Sequence, residues 1–468
     1  MVKSNIKMNP GKLTEFIRIL VPEAEEEAVK IEGMEDEEKC TVITSNGKKT
    51  VEFSYEKISD SFDDQLDVMA RISLLKLYDK DYKWGSLIGV RPTKIVHKFF
   101  DSGFNLHYIE SILTDFYQVS REKAELLIEI AKRELKYMEN RTIGIYIGIA
   151  YCPSRCSYCS FPSYLKEGKY LERFEEYYNT LLYEIREIGK LVKELGLEVN
   201  TIYVGGGTPS ILSKEEMEKM LRVINQNYDI GKLKEFSYEL GRIDTIDEEK
   251  LEVLKNWNVD RISINPQTFN MKTLKEVNRY HDQEKFDRIF NEAKRMGFIV
   301  NMDLILGLPG ETTDDILYTL QKAGTYNMDN LTIHNLAIKK TSGLNKDNYL
   351  LAKNLNYKKI YGNIYKITRE KGLYPYYMYR QKNSFEWGEN IGYSLQDKES
   401  VYNIETIEEN KTIIGIGAGA VTKLITGDIR NRTIERLINP KDPLMWIDEL
   451  EERLKKKKER IREAVNGR

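Results

Sequence analysis

Cysteine and histidine are both scarce in this chain of 468 residues, at four each. So few cysteines exclude a disulfide framework. No apolar run approaches the ~20 residues that a membrane span needs. The opening Met-Val-Lys-Ser-Asn-Ile-Lys lacks the apolar centre of a signal peptide. Charge of neither sign is in excess. Lys and Arg number 72 against 74 Asp and Glu, a net of −2, so no global field would draw nucleic acid. These absences lead us to expect a cytoplasmic protein with no membrane span and no nucleic-acid partner. What remains, 41% hydrophobic and 31% charged residues, suits a globular protein of two or three domains.

Three of the four cysteines sit together. Cys152, Cys156 and Cys159 lie in the run Tyr151-Cys-Pro-Ser-Arg-Cys-Ser-Tyr-Cys-Ser-Phe161, with the spacing C-x3-C-x2-C. Three thiolates so placed can bind three irons of a [4Fe–4S] cluster and leave the fourth iron open to a small molecule. A zinc site normally takes four protein ligands. Cys40 is far upstream, and no histidine lies near the triplet. Buried core thiols are the other alternative, and a Ser- and Pro-containing loop is a poor place for them.

Three regions follow from the pattern along the chain. Residues 1–140 read as an α+β extension of unknown role. It has a helix over Lys12–Leu20, a charged segment, and strands Cys40–Thr44 and Thr50–Tyr55 around the turn Asn46-Gly47. Residues 141–335 alternate regularly. Strands are expected at Ile143–Ala150, Thr201–Val204, Glu235–Glu239, Arg261–Ile264, Ile299–Ile305 and Leu331–His334. Helices are expected at Leu171–Leu195, Lys214–Gln226, Lys272–Met296 and Thr313–Tyr326. Six β/α units imply a parallel sheet, two units short of a closed eight-fold barrel. The cysteine loop follows the first strand, at the C-terminal rim where such sheets place their chemistry. In residues 336–468 the alternation decays. Tyr374–Tyr379 and Lys411–Ala420 read as strands, and Trp446–Val465 as a charged helix.

The cysteine spacing is the signature of the radical S-adenosylmethionine (SAM) enzymes, and the chain resembles that superfamily. The resemblance narrows on Tyr146-Ile-Gly-Ile-Ala-Tyr-Cys152, Gly205-Gly-Gly-Thr-Pro209, Ser263-Ile-Asn-Pro-Gln-Thr-Phe269, Val277-Asn-Arg-Tyr-His281 and Asn301-Met-Asp-Leu-Ile-Leu-Gly-Leu-Pro309. In this order they look like the oxygen-independent coproporphyrinogen III oxidase family. Gly89-Val-Arg-Pro-Thr-Lys94 and Tyr376-Tyr-Met-Tyr-Arg-Gln-Lys-Asn383 look like its Z-type branch.

The resemblance implies an α/β fold, a radical SAM partial (β/α)6 barrel with extensions at both ends. It implies a [4Fe–4S] cluster on Cys152, Cys156 and Cys159, with SAM on the open iron. It places Tyr146 near the cluster and the SAM carboxylate, and Tyr158 on the adenine. Gly205, Gly206, Gly207 and Thr208 would meet the methionine part. Glu239 would accept from a ribose hydroxyl or the SAM amine. Gln267 and Arg279 would line the ribose and carboxylate side, with Asp303 and Ile305 near ribose and adenine. The implied substrate is a small tetrapyrrole, coproporphyrinogen III. Its carboxylates call for cations, for which Arg380 and Lys382 are candidates, with Tyr376, Tyr377 and Tyr379 as flat contacts. A reductant protein such as flavodoxin or ferredoxin would supply electrons.

Three departures bear on activity. Phe161 stands where the oxidase carries a fourth cysteine, as in the haem-chaperone branch. Gly148 replaces a usual histidine, and Ala150 a usual proline. A haem chaperone, with His281 or His334 as axial ligand, is therefore one alternative. A radical SAM enzyme acting on another substrate is a second. A nicotinamide or flavin dehydrogenase is a third, resting on Gly415-Ile-Gly-Ala-Gly-Ala420.

Overall fold

The computed structural model describes residues 2–58, 64–138, 142–339, 342–346, 355–381, 388–427 and 432–466. It divides into two units, Met1–Lys132 and Arg133–Arg468.

The first unit is built on a four-stranded sheet, Val2–Ser4, Val29–Glu35, Lys39–Ser45 and Thr50–Glu56, in sequence order. Its helix Pro10–Leu20 starts where the Asn9 side chain accepts from the Lys12 N–H. Gly47, at φ 83°, makes the expected hairpin turn. The strand Val29–Glu35 was not foreseen. Only Val29 and Ile31 are buried on it, so its apolar signal is two residues long.

The second unit holds an eleven-stranded sheet. Its parallel centre is β1 (Ile143–Ile149), β2 (Val199–Gly206), β3 (Glu235–Glu239), β4 (Arg261–Ser263), β5 (Ile299–Leu306) and β6 (Asn330–Asn335), paired in that order. These are the six strands expected from the sequence. The crossovers include α1 (Phe174–Glu194), α2 (Lys214–Asn227), α3 (Glu248–Asn256), α4 (Gln283–Arg295) and α5 (Thr313–Ala323). Capping boxes at Ser213/Glu216 and Thr312/Asp315 fix the starts of α2 and α5.

One expected helix, Lys272–Met296, is two. A short helix Met271–Glu276 ends at Val277. Asn278 then turns left-handed at φ 53°, and α4 begins after the Asp282 cap. The break carries Arg279 into the cavity described below.

The later residues extend the same sheet at both ends. α6 (Tyr357–Glu370) precedes β7 (Tyr374–Arg380). β8 (Glu389–Ser394) pairs antiparallel with both β6 and β7. After α7 (Val401–Glu408), β9 (Ile413–Ile416) lies parallel to β1. β10 (Val421–Thr426) and β11 (Thr433–Ile438) continue antiparallel from it. The single strand expected over Lys411–Ala420 is therefore β9 plus a glycine turn. α8 (Pro443–Asn466) ends the described chain.

Side-chain alternation decides what faces inward. On β5, Val300, Met302, Leu304 and Leu306 are buried, while Asn301, Asp303 and Ile305 point into an open cavity. Tyr146, Tyr203, Glu239, Ser263 and His334 do the same from the strands around it.

Candidate active site

The inward residues enclose a cavity of about 580 Å³ that also takes in Cys152, Cys156 and Cys159. A cavity of this size suits a small-molecule ligand. The loop carrying the cysteines is tied down by its own backbone. Cys159 N–H donates to the Cys156 carbonyl at 3.1 Å, and Ser157 N–H donates to the Val277 carbonyl at 3.1 Å.

Each cysteine Sγ has a different polar neighbour. Cys152 Sγ lies 3.3 Å from Thr208 Oγ1. A backbone N–H at Phe161 serves Cys159. Cys156 Sγ receives guanidinium N–H groups from Arg242 at 3.4 Å and from Arg279 at 3.9 Å. Burial pushes the Cys152 and Cys159 thiols up from their ordinary value. A thiophilic metal would offset that cost by holding the thiolates.

The glycine turn closes onto this loop. Gly206 has φ 115°, and a Cβ there would stand 2.5 Å from the Ile149 carbonyl oxygen. A Cβ on Gly207 would stand 2.5 Å from the Tyr151 carbonyl and 3.0 Å from Cys152 Sγ. Only glycine lets the end of β2 come so near the cysteines. The Gly207 and Thr208 N–H groups donate to the Ile149 and Tyr151 carbonyls, so they serve the loop itself. Gly206, Gly207 and Thr208 line the cavity. Gly205 packs behind them, where its Cβ would meet the Tyr203 ring and the Glu239 carboxylate.

Glu239 accepts from Tyr203 Oη at 2.5 Å. Burial pushes its carboxyl up to about 7 despite that bond. Asp303 goes the other way. Burial opposes its charge, but His334, Asn301 and Thr332 bond to it and hold it below the usual carboxylate range. His334 Nε2 is 3.8 Å from Asp303 Oδ2, and its Nδ1 is 3.1 Å from Tyr379 Oη. Three tyrosine rings line the wall below. Tyr203 and Tyr402 stack at 4.3 Å, and Tyr146 lies 6.2 Å from each, all within 20° of parallel.

Tyr158 and Ile305, both expected at an adenine, pack against one apolar cluster of Val277, Leu308, Leu336 and Leu344. Gln267 sits at φ 68°, and its Oε1 is buried without a hydrogen-bond partner. An orphaned acceptor in a cavity wall is a place for a ligand donor. Arg279 lines the cavity too, but it also donates to Tyr158 Oη and to the Gly241 and Asn265 carbonyls. Three thiols together, a glycine cradle and an orphaned acceptor fit an iron–sulfur cluster with an amino-acid ligand beside it.

Arg380 does not reach this cavity. Alternation on β7 turns Tyr377 and Tyr379 inward, followed by Gln381. Arg380 faces the other side, 1% exposed. Tyr376 also points away from the main cavity, into a small space under Glu239. Lys382 lies outside the described residues. Of the two histidines, His334 lines the cavity, whereas His281 packs against Phe269 and Phe286 and bonds Gln283. Arg242, Asn265, Tyr203 and Tyr402 were not foreseen. Asn265 lies within the quoted run Ser263–Phe269 but has no role assigned there, and Arg242, Tyr203 and Tyr402 lie outside the quoted motifs, so that only the fold brings them to the cavity.

The glycines from Gly415 to Gly419 serve the fold. Gly417 N–H donates to Glu184 at 2.7 Å, Lys457 Nζ donates to the Gly415 carbonyl at 2.7 Å, and Asn439 donates to the Gly417 carbonyl at 2.8 Å. Glu184 and Lys457 form a buried ion pair at 2.7 Å. A carboxylate already occupies the place a dinucleotide phosphate would take.

The model of the radical SAM superfamily matches residues 146–323. The chain is 39% identical over 378 residues to the oxygen-independent coproporphyrinogen-III oxidase-like protein HemZ of Bacillus subtilis, covering 79% of this chain and 75% of that one. It is 29% identical to the heme chaperone HemW of Buchnera aphidicola subsp. Schizaphis graminum, over 64% of this chain and 76% of that one. The structure of coproporphyrinogen III oxidase (HemN) from Escherichia coli, a radical SAM enzyme, superposes with a TM-score of 0.52 at 20% identity. It covers 71% of this chain and 73% of that one, a likeness of fold.

Proposed function

The chain belongs to the radical SAM superfamily and, within it, to the HemZ branch of the coproporphyrinogen-oxidase-like proteins; from this we propose that it decarboxylates coproporphyrinogen III to protoporphyrinogen IX without oxygen. The observation that carries the reading is the convergence of Cys152, Cys156 and Cys159 with Glu239, Gln267 and Asp303 on one cavity.

The superfamily's cofactors are a [4Fe–4S] cluster and SAM. When bound, they supply the carbon radical that takes hydrogen from the propionate carbon next to a pyrrole. The propionate would then lose CO2 and pass one electron to an external one-electron acceptor, giving a vinyl group. The electron that starts each cycle would come from a flavodoxin- or ferredoxin-like protein.

The chain's own residues bind, orient and exclude water. Cys152, Cys156 and Cys159 would hold the cluster. The Gly205–Thr208 turn, with most of its N–H groups engaged, would offer carbonyl oxygens to the SAM amine, helped by Glu239 in its ionised form. Asp303, held charged by its neighbours, would accept from ribose hydroxyls. Gln267 Oε1 would gain the donor it lacks. Tyr158 and Ile305 would pack on the adenine. The stacked rings of Tyr146, Tyr203 and Tyr402 would keep water from the reacting carbon, which matters because a loose radical attacks the nearest C–H bond. Residues 336–468 would supply the substrate side through Tyr377, Tyr379, Tyr402 and Asn403.

The haem-chaperone reading has one observation in its favour, that His334 lines the cavity. Against it, Tyr379 and Asp303 engage both ring nitrogens of His334, and an axial ligand must give one up.

Anaerobic turnover decides between them. Reconstituted protein with SAM, a reductant and coproporphyrinogen III should yield protoporphyrinogen IX and 5′-deoxyadenosine by mass spectrometry. Absence of the product, with a stoichiometric haem absorbance shift, would establish the chaperone instead.

A further inference from the structure

A substrate with several carboxylate arms needs cations at the cavity wall. Among the described residues, the main cavity offers Arg242, Arg279 and Lys339. Arg242 is gripped by Asp244 and donates to Cys156, and Arg279 is engaged with Cys156, Tyr158 and two carbonyls. Both belong to the cysteine loop. Lys339, exposed just after β6, stands at one end of the parallel sheet.

The other end has a cation of its own. A side chamber of about 210 Å³ lies between β1, β9, β10 and the tail of the cysteine loop. Tyr146, Phe161, Gly206, Tyr402 and Thr406 line both spaces, so the chamber adjoins the main cavity. Its remaining walls are mostly small or apolar, including Ile149, Ile413, Ala418 and Val421. Gly148 keeps it open, for a Cβ there would meet the Tyr146 ring at 3.2 Å. The one charged residue in its lining is Lys423. Lys423 stands opposite Ile413 in the β9–β10 pair, on the same face as Val421. Its Nζ donates to the Thr406 carbonyl at 3.2 Å and lies 3.7 Å from Glu409 Oε1. Arg436 holds that same oxygen more closely, at 2.6 Å.

We propose that this chamber is a subsite for one carboxylate arm of the substrate, with its aliphatic stem against Ile149, Ile413 and Val421 and its carboxylate on Lys423. The proposal rests on the tetrapyrrole reading above and assigns one anchor point within it. A mostly apolar chamber with one ammonium matches an aliphatic acid. It matches neither a phosphate, which asks for many donors, nor a neutral ring. The volume equals that of about seven waters in bulk, ample for a three-carbon acid. The incoming carboxylate would take the place of Glu409 beside Lys423, and Arg436 would keep Glu409 paired. Lys339 would meet a second arm at the far end of the sheet.

The test is equilibrium binding of coproporphyrin III, the oxidised and unreactive form, to cluster-loaded protein with SAM, read by porphyrin fluorescence. Its tetramethyl ester serves as the uncharged control. Lys423→Gln should weaken the tetra-acid at least tenfold and leave the ester unchanged. Lys423→Arg should restore most of the loss. Val421→Phe, which fills the chamber without touching a charge, should weaken both ligands. Equal affinity of Lys423→Gln and unaltered protein for the tetra-acid would overturn the subsite and leave the proposed function standing. Equal weakening of acid and ester by Lys423→Gln would also overturn it, as damage to the fold. Failure of the unaltered protein to bind either porphyrin would overturn the subsite together with the tetrapyrrole reading.

Discussion

Arg242 donates to Cys156 Sγ at 3.4 Å, and Asp244 holds the same guanidinium at 2.8 and 3.0 Å. Arg242 is 4% exposed and brings positive charge to a site where three thiolates would gather. Groups bonded to metal ligands typically change metal affinity 10- to 100-fold when removed. Arg242→Met should therefore lose iron to a chelator roughly 10- to 100-fold more readily than the unaltered protein. Arg242→Lys should fall between, because ammonium lacks the fork that engages Asp244 and Cys156 together. Unchanged iron retention in Arg242→Met would remove this residue from the account.

Single replacements Cys152→Ala, Cys156→Ala and Cys159→Ala should each abolish the iron–sulfur absorbance and SAM cleavage. Cys40→Ala should spare both, since Cys40 lies in a strand of the other unit. Far-ultraviolet circular dichroism checks that the fold persists. Full SAM cleavage by any of the three variants would contradict the assignment.

Glu239 gives a pH dependence. Its carboxyl is raised by burial to about 7 from an ordinary value of 4.5. The folded protein therefore holds this proton more tightly than the unfolded chain. The associated stability is full below 4.5 and is lost as pH rises to about 7. Asp260 and Glu311 are raised by burial to about 7 as well, so the variant isolates one contribution. Glu239→Gln without cofactors should match the unaltered protein in melting temperature near pH 4.5 and exceed it at pH 8. SAM affinity should rise as pH passes 7 in the unaltered protein, because ionised Glu239 suits the SAM amine. In Glu239→Gln that rise should vanish. An identical rise in both would place the titrating group elsewhere.

The buried pair Glu184–Lys457 supports the turn that separates β9 from β10. Removing one partner of a buried ion pair costs about 3–5 kcal/mol, because the other charge is left without its counter-ion. Lys457→Met should lower the melting temperature by several degrees, and Glu184→Gln added to it should recover part of the loss. The same geometry predicts no NAD binding by calorimetry.

Much of the parallel sheet was legible. β1 and β2 are largely apolar runs, while β3, β5 and β6 alternate apolar with polar residues, and turn residues bound each of them. The cysteine loop was legible because its spacing is local. The strand Val29–Glu35 was hidden by its charged half. The break in Lys272–Met296 carries neither proline nor glycine. Its marks are Asn278, which tolerates the left-handed turn, and Asp282, which caps the start of α4. Arg380 illustrates a signal that was present. Once Tyr377 and Tyr379 are assigned inward, alternation forces Arg380 outward. Arg242, Tyr203, Tyr402 and Lys423 could not be read at all, since only the packing of elements distant in sequence brings them to the cavity and its side chamber.

Isotope transfer addresses the central claim most directly. Coproporphyrinogen III deuterated at the propionate carbon next to the pyrrole would be turned over anaerobically with SAM and a reductant, and the 5′-deoxyadenosine weighed by mass spectrometry. The account predicts 5′-deoxyadenosine that carries deuterium and forms in step with CO2. 5′-Deoxyadenosine free of deuterium, formed at the same rate without substrate, would contradict it.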